Sequence, residues 1–193
     1  MTFLTNNYRL ILASNSPRRR ELLSGIDVAY EVMTLPDIDE SYPDDIPHEE
    51  VPEYLAKKKA SAYISFMEED TLLVTADTVV LLHGRILGKP TDKEDAKRML
   101  EDLSGETHRV VTGVCLTSKH KQVCFSDTAH VTLGTLTKEE IDYYVEKYNP
   151  MDKAGAYGVQ EWIGYVGVER IEGSYFNVMG LPIYKVYREL KRF

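Results

Sequence analysis

The most constraining feature of the chain is TLLVTADTVVLL, residues 71–82, a β-branched and aliphatic stretch with one carboxylate, Asp77, in its middle. The stretch predicts a strand, and His83-Gly84 after it reads as a two-residue turn into a short partner at 85–87. An ionised carboxylate among apolar neighbours costs several kcal/mol unless something compensates it. Asp77 is therefore a candidate general base or metal ligand, the alternative being a strand-edge Asp turned to water. A regular turn pairs Thr78 with Lys89 and Asp77 with Pro90, which starts the Asp77 and Lys89 side chains on opposite faces. Both can serve one site only if the ladder bulges or ends near Gly88.

Around this hairpin the pattern alternates strands and helices. Residues 8–13 form a short apolar strand, and SNSP then opens a helix with Ser16 as cap, Pro17 in its first turn and Gly25 at its end. A second strand is expected over 27–33. From Glu49 onward Val51, Leu55, Ala62, Tyr63 and Phe66 keep helical spacing, and Lys59 intrudes on that stripe. A helix at 93–103 closes at Ser104-Gly105. Strands at 107–118 and 121–133 follow, and a turn at Lys119-His120 would set Cys115 directly opposite Cys124. A helix at 138–147, a loop to 156, a strand at 165–171, a GSYFNVMGLP turn and a helix at 183–190 complete one compact α/β unit.

Charge and composition exclude several classes. With 193 residues, 43% hydrophobic and 28% charged, the chain can bury a sizeable core and is neither disordered nor fibrous. The net charge of -8 argues against a nucleic-acid coat. All of it comes from eight carboxylates between Asp37 and Glu53, a segment without Lys or Arg; the rest of the chain balances 23 acidic against 23 basic residues. No apolar run approaches the roughly 20 residues of a membrane span, and MTFLTNNYR shows no secretory signal, so a cytoplasmic location is expected. The two cysteines lack CxxC spacing and read as buried free thiols.

Several other residues are candidates for chemistry. Ser14, Ser16, Arg18, Arg19 and Arg20 cluster at a strand-to-helix turn, where backbone N–H groups, hydroxyls and guanidinium forks can hold a phosphate chain; a capped helix with solvated arginines is the alternative. Lys59 is either a snorkelling lysine or a charge held inward for an anion. Glu40 reads as one more solvated carboxylate. In DKAGAYGVQ, glycines permit close approach to the backbone, and Gln160 offers the donor and acceptor that a pyrimidine edge requires. There is no Walker loop, no GxGxxG and no histidine-based zinc spacing.

ASNSPRRREL, LAKKKA, ADTVV, LGKP, LSGETHRVVTG, PMDKAGAYGVQ and GSYFNVMGLP occur in one order from about residue 10 to about residue 187. This set resembles the Maf-like nucleoside triphosphate pyrophosphatases. The resemblance implies a single two-lobed α/β domain over 1–193, like inosine triphosphate pyrophosphatases, with a long twisted mixed sheet, flanking helices and a site in the cleft. It implies hydrolysis of a nucleoside triphosphate to monophosphate and pyrophosphate with a divalent cation, Mg²⁺ or Mn²⁺. By the same resemblance Asp77 is the proton acceptor or a cation ligand. Ser14, Arg18, Arg19, Lys59 and Lys89 bind substrate, and Glu40 is a second candidate ligand. Arg18, Thr78 and Gln160 mark the dTTP and UTP branch rather than the one acting on 7-methyl-GTP. A homodimer is also implied, with no nucleic-acid or membrane partner. A nucleotide-binding regulator of septum formation is the alternative from another class.

Overall fold

The computed structural model describes residues 8–193; most of the opening segment read above for a secretory signal lies outside them. Among the described residues, seven strands and seven α-helices form a mixed α/β fold. The strands are β1 (Arg9–Leu12), β2 (Glu31–Val32), β3 (Thr71–Leu82), β4 (Arg85–Leu87), β5 (Thr107–Thr117), β6 (Gln122–Leu133) and β7 (Val168–Glu172). They make one sheet in the order β2-β1-β3-β5-β6-β7, with β4 paired to β3. β1 runs parallel to β2 and β3, whereas β4 and β7 run antiparallel to β3 and β6. The helices are α1 (Pro17–Ser24), α2 (Val51–Tyr63), α3 (Lys93–Leu103), α4 (Lys138–Tyr148), α5 (Trp162–Val166), α6 (Tyr175–Val178) and α7 (Ile183–Leu190). None is long and apolar enough to cross a membrane.

The chain divides into two compact units. The first holds the residues up to Asp77, with Thr112–Asp127 and Gly180–Phe193. Its core joins Ile11 and Leu73 to Ala56, Ala60 and Tyr63 of α2. Gly113 sets how closely α2 approaches: a Cβ there would lie 2.2 Å from the Glu53 nitrogen and 2.3 Å from the Pro52 carbonyl carbon. The helix backbone rests on the strand where no side chain intervenes. Thr75 fixes the next turn, its buried hydroxyl donating to the Ala56 carbonyl at 2.7 Å. The second unit holds Thr78–Val111 and Thr128–Met179. There α4 starts on a full capping box, Thr137 with Glu140, and ends on Asn149 in the left-handed region, φ 46°.

Several expectations hold and others are corrected. The β3–β4 hairpin has the predicted register, Val80 opposite Leu87 and Leu82 opposite Arg85, and its turn residues His83 and Gly84 have φ of 49° and 79°. The expected strand over 27–33 shrinks to Glu31–Val32, both exposed, after Asp27 turns left-handed at φ 54°. On α2 the buried stripe runs through Ala56 and Ala60; Ala62, still within the helix, is exposed, and so is Phe66, which falls in the 3-10 turn at Ile64–Phe66 that follows. The strand expected at 165–171 begins only at Val168, preceded by α5. The cysteines are not free thiols: Cys115 and Cys124 are joined in a disulfide. Ser118 N–H donates to the Lys121 carbonyl at 2.8 Å, so the turn at Lys119-His120 stands and brings the two cysteines opposite each other.

Candidate active site

In the first unit the central group is Lys59. Its ammonium donates to Asp77 Oδ1 at 2.6 Å and pairs with Glu40 Oε1 at 2.8 Å, and its side chain is 14% exposed. The reason is local periodicity. Thr75 and Asp77 are two apart on β3 and share a face, while Ala56 and Lys59 are three apart on α2 and share a side. The Thr75–Ala56 and Asp77–Lys59 contacts are thus successive rungs between one strand and one helix. Lys59 is held inward by two carboxylates and does not snorkel to solvent, and Glu40 is brought from the acidic loop to the same nitrogen.

The strand-to-helix turn after β1 lies beside this group. Ser16 caps α1 through Arg19 N–H, with Pro17 in the first turn. Arg19 reaches back under the turn: Nε donates to the Gly180 carbonyl at 2.8 Å, and Nη1 to the Ala76 carbonyl at 2.9 Å and Ser14 Oγ at 3.4 Å. Burial pushes the Arg19 guanidinium below its ordinary value and the charge of Asp77 pulls the other way; it remains a cation. Arg19 braces Ser14 and the residue before Asp77, a role that its position in the motif did not indicate. Arg18, half-buried, adds its positive charge nearby. Lys58, which the sequence reading passed over, anchors the acidic loop by donating to Asp39 Oδ2 and the Ser41 carbonyl, both at 2.7 Å.

The donor set suits a hard cation. Glu40 and Asp77 already converge on one positively charged atom, and among the described residues no group of three His, Cys, Asp or Glu forms a metal cage. Two carboxylates completed by phosphate oxygens and water is a usual way for Mg²⁺ to be bound.

The second unit carries Thr78, Lys89 and Gln160. The β4 ladder ends at Leu87, so Lys89 is released from the strand pairing that would have turned it from Asp77's face, and it is exposed. Gly155 N–H donates to the Gly88 carbonyl at 3.0 Å, which ties the GKP segment to the DKAGAYGVQ loop. In that loop Gln160 is half-buried, and its Oε1 is buried with no hydrogen-bond partner among the described residues.

Behind the loop His108 shares a 2.7 Å hydrogen bond with the Tyr157 hydroxyl. Burial pushes the His108 imidazole down to about 4. The unfolded chain takes up a proton near the ordinary value of about 6.5 that the folded chain refuses until about 4, so stability falls as pH drops through this window. The expected loss between pH 7 and pH 4 is about 3 kcal/mol from this group. Urea unfolding of wild type and His108→Phe across that range checks it; equal pH slopes would remove His108 as the cause.

A family model described as Maf-like protein matches residues 9–193. The chain belongs to the Maf-like family. A dTTP/UTP pyrophosphatase from Bacteroides fragilis is 58% identical over 187 residues, 97% of each chain. One from Porphyromonas gingivalis is 56% identical over 188 residues, 96% of this chain and 94% of that one. A HAM1 protein from Coxiella burnetii superposes with a TM-score of 0.46 at 14% identity, covering 96% of this chain and all of that one.

Proposed function

We propose that this protein hydrolyses dTTP and UTP to the monophosphate and pyrophosphate, with Asp77 as the proton acceptor. The observation that carries the reading is the Lys59 bridge between Asp77 and Glu40, next to the turn of Ser14, Arg18 and Arg19. Near-full-length relatives named dTTP/UTP pyrophosphatase support the substrate class.

The reaction breaks the anhydride bond between the α- and β-phosphates. A triphosphate carries about four negative charges, and an anionic attacker is repelled until cations neutralise them. Arg18, Lys59 and Lys89 supply that positive charge, and Ser14 adds a hydroxyl donor. Asp77 takes a proton from water as its oxygen bonds to phosphorus, and pyrophosphate departs with the bond electrons. Glu40 and Asp77 would hold a divalent cation, Mg²⁺ or Mn²⁺, whose chemistry is to neutralise phosphate oxygens. Gln160, and Thr78 next to Asp77 in the chain, are assigned to base selection with Arg18.

A panel of dTTP, UTP, CTP, ATP and 7-methyl-GTP, each with Mg²⁺ or Mn²⁺, tests the base preference. kcat/KM is expected to be highest for dTTP and UTP; equal or greater values for 7-methyl-GTP or ATP would overturn it. A homodimer, supported by the family resemblance, belongs to the same proposal, as does a cytoplasmic location. Light scattering giving the mass of one chain would remove the dimer.

A further inference from the structure

We infer that Tyr144 is a positioning residue for base recognition: its hydroxyl clamps the turn that presents Gln160. This rests on the assignment of Gln160 to the base.

Gln160 is the third residue of a four-residue turn, closed by Glu161 N–H donating to the Gly158 carbonyl at 2.9 Å. The Tyr144 hydroxyl lies at both ends of that turn. It accepts from Gly158 N–H at 3.0 Å and donates to Glu161 Oε2. The other Glu161 oxygen pairs with Lys153 at 3.1 Å, and Lys153, buried in the loop, also bonds Asp152 at 2.8 Å. The clamp is anchored from below: Tyr144 is fully buried in the middle of α4, its ring stacked on Tyr148 with centroids 5.2 Å apart. Burial and the Glu161 carboxylate both raise the Tyr144 hydroxyl above its ordinary value, so it keeps the proton it donates.

The purpose of so rigid a turn is visible in Gln160 itself. Its buried Oε1 has no partner among the described residues, and a buried acceptor left unpaired carries a desolvation penalty that a ligand donor relieves. Uracil and thymine present an imide N–H, whereas cytosine presents a bare ring nitrogen at the same place. A fixed acceptor distinguishes them, and one free to swing away does so poorly. Tyr144 uses one donor and one acceptor to hold both ends of the turn.

The test compares Tyr144→Phe, which keeps the ring and removes the hydroxyl, with wild type and Gln160→Ala on UTP, dTTP and CTP. Tyr144→Phe is expected to raise KM for UTP and dTTP about tenfold, the worth of one or two hydrogen bonds, with kcat within about twofold. The UTP-over-CTP preference should fall by a similar factor. If Tyr144→Phe merely lowers the melting temperature, or lowers kcat equally for all three nucleotides, the clamp is wrong. If Gln160→Ala leaves the preference intact, the base assignment fails instead. Should Tyr144→Phe not fold, Glu161→Gln and Glu161→Leu replace it. The Gln variant keeps an acceptor for Tyr144 and should retain more of the preference than the Leu variant; equal losses would also overturn the clamp.

Discussion

Asp77→Asn is expected to lower kcat by about 10³-fold, within the 10²–10⁴ range of a general base, while leaving the fold intact. Asparagine keeps an oxygen for the Lys59 ammonium, which now donates to Asp77 Oδ1 at 2.6 Å, so the rung between β3 and α2 survives. What disappears is the ability to take a proton. Nucleotide binding should persist, since Arg18, Lys59 and Lys89 are unchanged. Steady-state kinetics on dTTP and UTP, with binding followed by calorimetry, separate these effects. A variant with kcat within about threefold of wild type would remove Asp77 from the chemistry.

The second large effect is structural and reaches the site indirectly. Gly113→Ala would place a Cβ 2.2 Å from the Glu53 nitrogen and 2.4 Å from its Cα, both backbone atoms of the first turn of α2. Neither can rotate away as a side chain would, so the helix must lift or the strand must yield. Overpacking of this kind costs about 3 kcal/mol at the upper end of its usual range. Because the same helix carries Lys59 two turns later, activity should fall with stability, and raising the concentration of folded protein should not restore it. Urea unfolding and pyrophosphate release measured on the same preparation check both parts. A stability change under about 0.5 kcal/mol would mean that α2 does not rest on Gly113.

Much of this arrangement was legible in the chain, for reasons that differ residue by residue. The β3–β4 register followed from the left-handed preference of Gly84, and the ladder ends at Leu87, one residue before Gly88. The α1 cap followed from Ser16 and Pro17. The pairing of Asp77 with Lys59 was not legible from either pattern alone. It depends on how a strand of period two meets a helix of period 3.6, and that depends on Thr75, which no motif included, and on Gly113, whose place at the end of LSGETHRVVTG did not reveal the helix packed on it.

Other features lay outside any local signal. Phe66 fits the α2 stripe on paper, but the spacing stops applying once the helix tightens at Ile64, and Ala62 falls outside the buried side that runs through Ala56, Ala60 and Tyr63. Tyr165 and Val166 read as strand by propensity, yet the backbone bonds of Gly164 to Glu161 and Gly167 to Ile163 wind them into α5. The alignment of Cys115 with Cys124 could be read from the turn, whereas their oxidation could not, because spacing carries no information about thiol chemistry. Glu40 was one of eight carboxylates in an acidic segment, and only its contact with Lys59 separates it from the other seven.

The central claim is that bond cleavage falls between the α- and β-phosphates. Phosphorus NMR of UTP and dTTP incubated with the purified protein and Mg²⁺ reads the products directly. The monophosphate and pyrophosphate are expected in equal amounts; nucleoside diphosphate with orthophosphate would contradict the account.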